Sequence, residues 1–308
     1  MKKLLFTLLF LILGIVLIAV LTQSTFIDEN NPATGIPAMS KTIQAPIPSK
    51  IDFAGEETPL HEYDVRERLD REINVNAYWQ SQTMFYIKRA SRWFPVIEPI
   101  LKQNGVPDDF KYIAVAESGL MNSISNMQAV GFWQFLDNTG KENNLVITDE
   151  VDERYSVEKS TEAACHFFLD AKAQFGSWTL AAAAFDMGTA ALQSQMDRQG
   201  EHNFYDLLLN DETFRYVFRV LAIKEIMTHR RTYGFHLDKK DLYAPLQFSS
   251  VNVDKTIPDL AAWSREHGIN YKTLKLLNPW LRQNTLTVDA GKKYGIKILK
   301  KGYSGIAE

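Results

Sequence analysis

Glu117 is the residue whose setting points to chemistry. In the run Phe110-Lys-Tyr-Ile-Ala-Val-Ala-Glu-Ser-Gly-Leu120, the residues Phe110, Ile113, Glu117 and Leu120 recur three or four apart and share one helical face. Three of them are apolar and the fourth is a carboxylate, with no Lys or Arg one turn away on that face. A carboxylate on an apolar face must be paired, neutral or functional, because desolvating its charge is costly. Desolvation also raises its pKa, so that it can hold a proton near neutrality as a general acid does. The alternative is a helix end with the carboxylate oxygens in water, and this pattern alone leaves both readings open.

Other chemistries have weaker support. The single cysteine, Cys165, lies in the apolar helical run Glu162-Ala-Ala-Cys-His-Phe-Phe-Leu and reads as a buried thiol; it has no partner for an internal disulfide. The six histidines are scattered, and His202, His229 and His236 form no ligand-spaced cluster, so no metal is expected. No phosphate-binding glycine loop or nucleotide fingerprint is present, and no cofactor is expected. With a formal net charge of -3 and a pI near 6.1, nothing in the composition pulls the chain toward nucleic acid.

The elements that must position Glu117 are helical. At 308 residues the chain can bury a sizeable core. Met1-Lys2-Lys3 precedes an apolar run from Leu4 to Leu21, about 18 residues, near the lower limit for spanning a bilayer. We expect residues 1–21 to be a transmembrane anchor or signal peptide, with the anchor favoured because no small-x-small cleavage site follows. The lysine pair would stay cytoplasmic and the rest would be exported to the periplasm or cell envelope. Residues 22–60, with Pro32, Pro37, Pro46, Pro48 and Pro59, read as a flexible linker. Residues 61–240 read as a helical domain. Its expected helices are 65–74, 79–93, a short 95–102 ended by Asn104-Gly105, the Glu117 helix, 156–175, 178–191, and two more within 203–227. Residues 241–308 follow a strand-helix-helix-strand order, with strands 248–253 and 294–299 and helices 257–267 and 271–277. The expected class is mainly α, with a small α+β module at the end.

Four ordered segments carry a family resemblance: Ala-Glu-Ser-Gly-Leu at 116–120, Gly-Phe-Trp-Gln-Phe at 131–135, Val-Asp-Glu-Arg-Tyr at 151–155, and Tyr-Val-Phe-Arg-Val-Leu-Ala at 216–222. Together they resemble the Slt-type, goose-lysozyme-like lytic transglycosylases, with similarity running from about Val65 to Phe235. The resemblance implies a lysozyme-like helical fold with a groove for peptidoglycan glycan strands. It makes Glu117 the single catalytic acid and base, cleaving the bond between N-acetylmuramic acid and N-acetylglucosamine with closure of a 1,6-anhydro ring. Tyr216 would hydrogen-bond and hold Glu117. Ser118 would orient the acid or bond the sugar; a helix-terminal hydroxyl is the plain alternative. Gly131 would bring backbone close to substrate or turn the chain tightly, and Gln134 would bind sugar hydroxyls or N-acetyl groups. Phe132 and Trp133 would form a sugar platform or else pack in the core.

One motif departs. Where the family reads Ala-Tyr-Asn-x-Gly, this chain has Ala184-Phe185-Asp186-Met187-Gly188. Phe185 keeps the ring without its hydroxyl, and Asp186 replaces an amide that touches substrate in the family. Asp186 would bind the same group, or activate water in a hydrolytic muramidase, or mark a non-catalytic wall-binding protein. The C-terminal order resembles a LysM module, best at Leu274-Lys-Leu-Leu-Asn-Pro279; its opening, Val253-Asp-Lys-Thr-Ile257, lacks the usual Gly-Asp-Thr. It reads equally as a structural cap on the helical domain.

Overall fold

The computed structural model describes residues 43–300, so the apolar run at 1–21 lies outside the described residues. Among the described residues no helix is long and apolar enough to cross a membrane. A continuous unit begins at Gln44.

The first long helix, α1 (Tyr63–Tyr78), buries Val65, Leu69, Glu72, Ile73 and Asn76, one side of its heptad pattern. Next come α2 (Gln80–Gln103), α3 (Lys111–Ser118), α4 (Asp137–Glu142), α5 (Val157–Phe175), α6 (Trp178–Met187), α7 (Thr189–Gln199) and α8 (Asp211–Thr228). Helix α8 is the hub: it packs on α1, α3 and α6. Ala181 to Ala184 of α6 are fully buried, and their small side chains let α6 approach α5 and α8 closely. Phe110 and Phe168 pack in the centre with ring centroids 4.4 Å apart and planes tilted by 52°, where full burial of each ring contributes on the order of 2–3 kcal/mol. Ser156, Ser177 and Asn210 cap α5, α6 and α8 by accepting from backbone N–H groups, the start signals that polar residue types provide.

Several expectations change. The segments 79–93 and 95–102 form one helix, α2, that runs through Pro95 and Pro99. The two prolines lie four residues apart and both are exposed, so the N–H groups they remove are lost on the solvent side of the helix. The expected helix 178–191 breaks at Gly188, whose φ of 87° separates α6 from α7. Residues 44–60 are part of the body and not linker. Ala45, Ile51 and Phe53 are buried in the core, and β1 (Asp52–Phe53) pairs with β2 (Glu56–Glu57). Glu56 then caps α6 from outside, accepting from the Trp178 and Thr179 amides at 2.7 and 2.8 Å and from the Ser177 and Thr179 hydroxyls, each at 2.7 Å. Proline-rich chain forms no long helix, yet it can still place single side chains in a core.

The C-terminal module follows the expected order. Strands β3 (Phe248–Val253) and β4 (Tyr294–Leu299) are antiparallel, with Phe248 opposite Leu299 and Val253 opposite Tyr294. Helices α9 (Leu260–Glu266) and α10 (Tyr271–Leu277) complete it. The first is shorter than the expected 257–267, because Asp259 caps it and Ile257 bridges to Leu286 instead. The module is docked: Val130, Val151 and Tyr155 of the helical body share one apolar cluster with Leu260, Leu274, Leu286 and Ile296. The Asp152 amide donates to the Trp280 carbonyl at 2.9 Å, and Lys297 pairs with Glu158 at 2.5 Å.

Candidate active site

Glu117 occupies the last turn of α3, which Gly119 ends in the left-handed conformation at φ 59°. Helix α2 shapes this end. A side chain at Gly119 would meet the Tyr86 ring at 2.8 Å, and Arg89 donates to the Gly119 carbonyl at 3.1 Å. Phe110, Ile113 and Leu120 are buried as their spacing requires, and Glu117 itself is half-buried. The Tyr216 hydroxyl, reaching from α8, donates to Glu117 Oε1 at 2.6 Å. Burial raises the Glu117 carboxyl to about 7; the Tyr216 bond and the Arg219 charge pull it down, while Asp186 and Glu212 push it further up. A carboxyl poised there can give and retake a proton at neutral pH.

The other motif residues divide into those that face the acid and those that build its support. Asp186 faces it: burial raises its carboxyl, a hydrogen bond from Thr213 and the Arg219 charge lower it, and its own charge is felt at Glu117. Phe185 is half-buried. Its ring packs against Phe135, Phe167 and Phe168 at 5.6, 5.1 and 4.9 Å. Phe132 and Trp133 are likewise core residues, 2% and 0% exposed, and the Trp133 indole donates to the Thr161 hydroxyl at 2.9 Å. The platform reading is therefore corrected, since a ring closed in on both faces has none for a sugar.

The Ser118 hydroxyl is not hydrogen-bonded to the Glu117 carboxylate. Its hydroxyl bonds the Phe132 and Ala114 carbonyls at 2.9 and 3.1 Å, pinning the end of α3 to the turn at 131–135. Gly131 serves chain packing: at φ 86°, a Cβ there would meet the Arg154 carbonyl oxygen at 2.0 Å. Gln134, at φ 50°, turns its amide nitrogen onto the Gly131 carbonyl at 2.7 Å, which leaves its amide oxygen as the atom available to a ligand. The segment 151–155 is a brace. Arg154 and Asp152 form a buried pair at 2.7 Å, and the guanidinium also donates to the Phe135 carbonyl at 3.3 Å. Two charged motif residues thus hold the turn that holds the acid.

Sequence inspection passes over Glu72, Thr213 and Arg219. Glu72 lies at core spacing with Val65, Leu69 and Asn76, the same signal that singled out Glu117. Arg219 follows Tyr216 by three residues on α8 and so lies on the same side of the helix. A cleft of about 580 Å³ lies elsewhere, between body and module, lined by Lys159, Trp280, Lys292, Tyr294 and Lys297 among others.

The acid and its braced turn lie within a stretch that matches a known family model. Residues 94–208 match the Transglycosylase SLT domain. That stretch of the helical body is similar to an SLT domain. Residues 249–302 match the Soluble lytic transglycosylase C-terminal LysM-like domain. The chain is also 27% identical over 246 residues to the membrane-bound lytic murein transglycosylase D of Escherichia coli, with the same match in two strains. That match covers 77% of this chain and 52% of the relative, so the chain spans about half the length of the relatives it matches. The matched SLT stretch includes Glu117, the turn at 131–135 and Asp186, while Tyr216 lies just beyond it.

Proposed function

We propose that the chain is a peptidoglycan lytic transglycosylase of the cell envelope, cleaving the β-1,4 bond between N-acetylmuramic acid and N-acetylglucosamine. The observation that carries this reading is the half-buried Glu117 carboxyl, raised to about 7 and held by the Tyr216 hydroxyl at 2.6 Å, inside a stretch similar to an SLT domain. Protonated Glu117 gives its proton to the glycosidic oxygen, and the N-acetylglucosamine side leaves as an alcohol. The resulting carboxylate takes the proton from the C6 hydroxyl of N-acetylmuramic acid as that oxygen closes on C1. The product is a 1,6-anhydro ring, Glu117 ends protonated, and no water is consumed. Tyr216 holds the carboxylate, and Ser118 and Gly131 fix the turn beside it.

A second reading draws on Asp186. A carboxylate felt at Glu117 is the partner that water activation needs in a hydrolytic muramidase. Digestion of purified sacculi, followed by mass analysis, separates the readings. Anhydromuropeptides support the lytic route, and reducing ends support hydrolysis. A wall left intact by the wild-type chain, and equally by a Glu117→Gln control, would reduce the protein to a wall binder. We further read residues 1–21 as an inner-membrane anchor and the LysM-like module as a glycan contact.

A further inference from the structure

Glu72 is a charge in an odd place. It sits in the middle of α1, 1% exposed, and its Oε2 is the one buried side-chain oxygen or nitrogen among the described residues with no hydrogen-bond partner. Its Oε1 accepts from Arg215 Nε at 2.8 Å. Arg219 Nε stands 4.0 Å from Oε2, within ion-pair reach but beyond a hydrogen bond. Both arginines are on α8, and each is about a third exposed. As a packing solution this is poor, since buried ion pairs are often replaced by apolar side chains without loss of stability. A half-satisfied carboxylate in a core therefore asks for another use.

Helix α8 supplies one. Thr213, Tyr216 and Arg219 follow one another at intervals of three and line one stripe. Tyr216 bonds Glu117 of α3, and the Thr213 side chain lowers the pKa of Asp186 on α6. Arg219 is the positive charge that acts on both carboxylates and on Tyr216. The negative charges facing Glu117 are Asp186 and, from α8 itself, Glu212. We propose that Glu72 and Arg219 are a positioning pair for the acid: Glu72 holds Arg219 from the core side of α8 and sets how much positive charge reaches Glu117 and Asp186. This rests on Glu117 being the proton donor, as proposed above. Neither Glu72 nor Arg219 touches substrate in this scheme; both act through the carboxylates.

The scheme makes two substitutions pull in opposite directions. Arg219→Gln removes the positive charge, so Glu117 holds its proton to higher pH. Glu72→Gln removes the counter-charge, so the arginines act more strongly and Glu117 releases its proton at lower pH. In the full-length protein, carboxyl-carbon NMR with labelled glutamate follows the Glu117 titration, assigned by its loss in Glu117→Gln. The midpoint should rise by about one pH unit in Arg219→Gln, fall by about half a unit in Glu72→Gln, and return toward wild type in Arg219→Lys. The upper limb of the pH profile for sacculus cleavage should move with it. An unmoved midpoint in Arg219→Gln overturns the proposal, as do shifts of the same sign in both variants. Should Glu72→Gln fail to fold, Arg219→Gln against Arg219→Lys decides alone, because a merely structural arginine would change the melting temperature and leave the midpoint in place. Opposed shifts in a protein that cleaves no wall would keep the pair and discard the enzyme reading; cleavage with unmoved midpoints would do the reverse.

Discussion

Replacing Glu117 by Gln should stabilise the protein at neutral pH. Below pH 4.5 the carboxyl is protonated in both the folded and the unfolded chain, and its burial adds no charge penalty. As the pH rises, the unfolded chain ionises near 4.5 while the folded one keeps its proton until about 7. Stability is lost across that window, because the unfolded state releases its proton first. The full difference corresponds to roughly 3 kcal/mol, and solvent access to the half-buried side chain trims it to about 2 kcal/mol. Glutamine carries no charge and keeps an oxygen for the Tyr216 hydroxyl, so the packing of α3 on α8 survives. Above pH 7.5 the variant should melt roughly 4–8 °C higher than wild type, while near pH 4 the two should melt together. Thermal unfolding followed by circular dichroism at both pH values reads the effect. A margin equal at the two pH values, or a variant less stable than wild type at pH 8, would refute the reasoning, because either result means that Glu117 is not desolvated.

Tyr216→Phe removes a hydrogen bond to a carboxylate, so Glu117 should hold its proton to higher pH. Sacculus digestion should fall on the order of 10- to 100-fold, with the upper limb of the pH profile displaced by about one unit. Gly131→Ala drives a methyl group into the Arg154 carbonyl from a positive φ, and should cost more than about 3 kcal/mol in urea unfolding. Glu56 is held down at about 2 despite its partial burial, by bonds from Ser177, Trp178 and Thr179, so its contribution is present above pH 4.5 and fades as the pH falls toward 2. Glu56→Gln should therefore lose about 2 kcal/mol at pH 7 and little at pH 2 in paired chemical-denaturation curves. Asp186→Asn removes a negative neighbour, so the Glu117 midpoint should fall. Under the lytic route the anhydro product persists in mass analysis; under hydrolysis the reducing ends disappear.

Much of this protein was legible as a string. Helical spacing around Glu117 predicts a carboxylate among buried residues, because the periodicity of a helix maps sequence position onto a face. Caps and glycines mark the ends of α5 and of the acid helix, because these are backbone properties local to a few residues. The strand-helix-helix-strand order of the module could be read in the same way. Residues whose neighbours come from distant parts of the chain could not. Phe132 and Trp133 look alike whether they face a sugar or the core, and only the packing of α2 and α5 around them decided for the core. Pro46, Pro48 and Pro59 truthfully exclude long helices, yet nothing in their vicinity says that Glu56 will meet the start of α6 more than a hundred residues later. Gly131 is required by the Arg154 carbonyl, and Glu72 by two arginines on α8, in each case across a packed interface. Spacing along the chain thus settled which residues share a face, while the three-dimensional packing settled what each face meets, because desolvation and contact depend on groups that sequence distance does not rank.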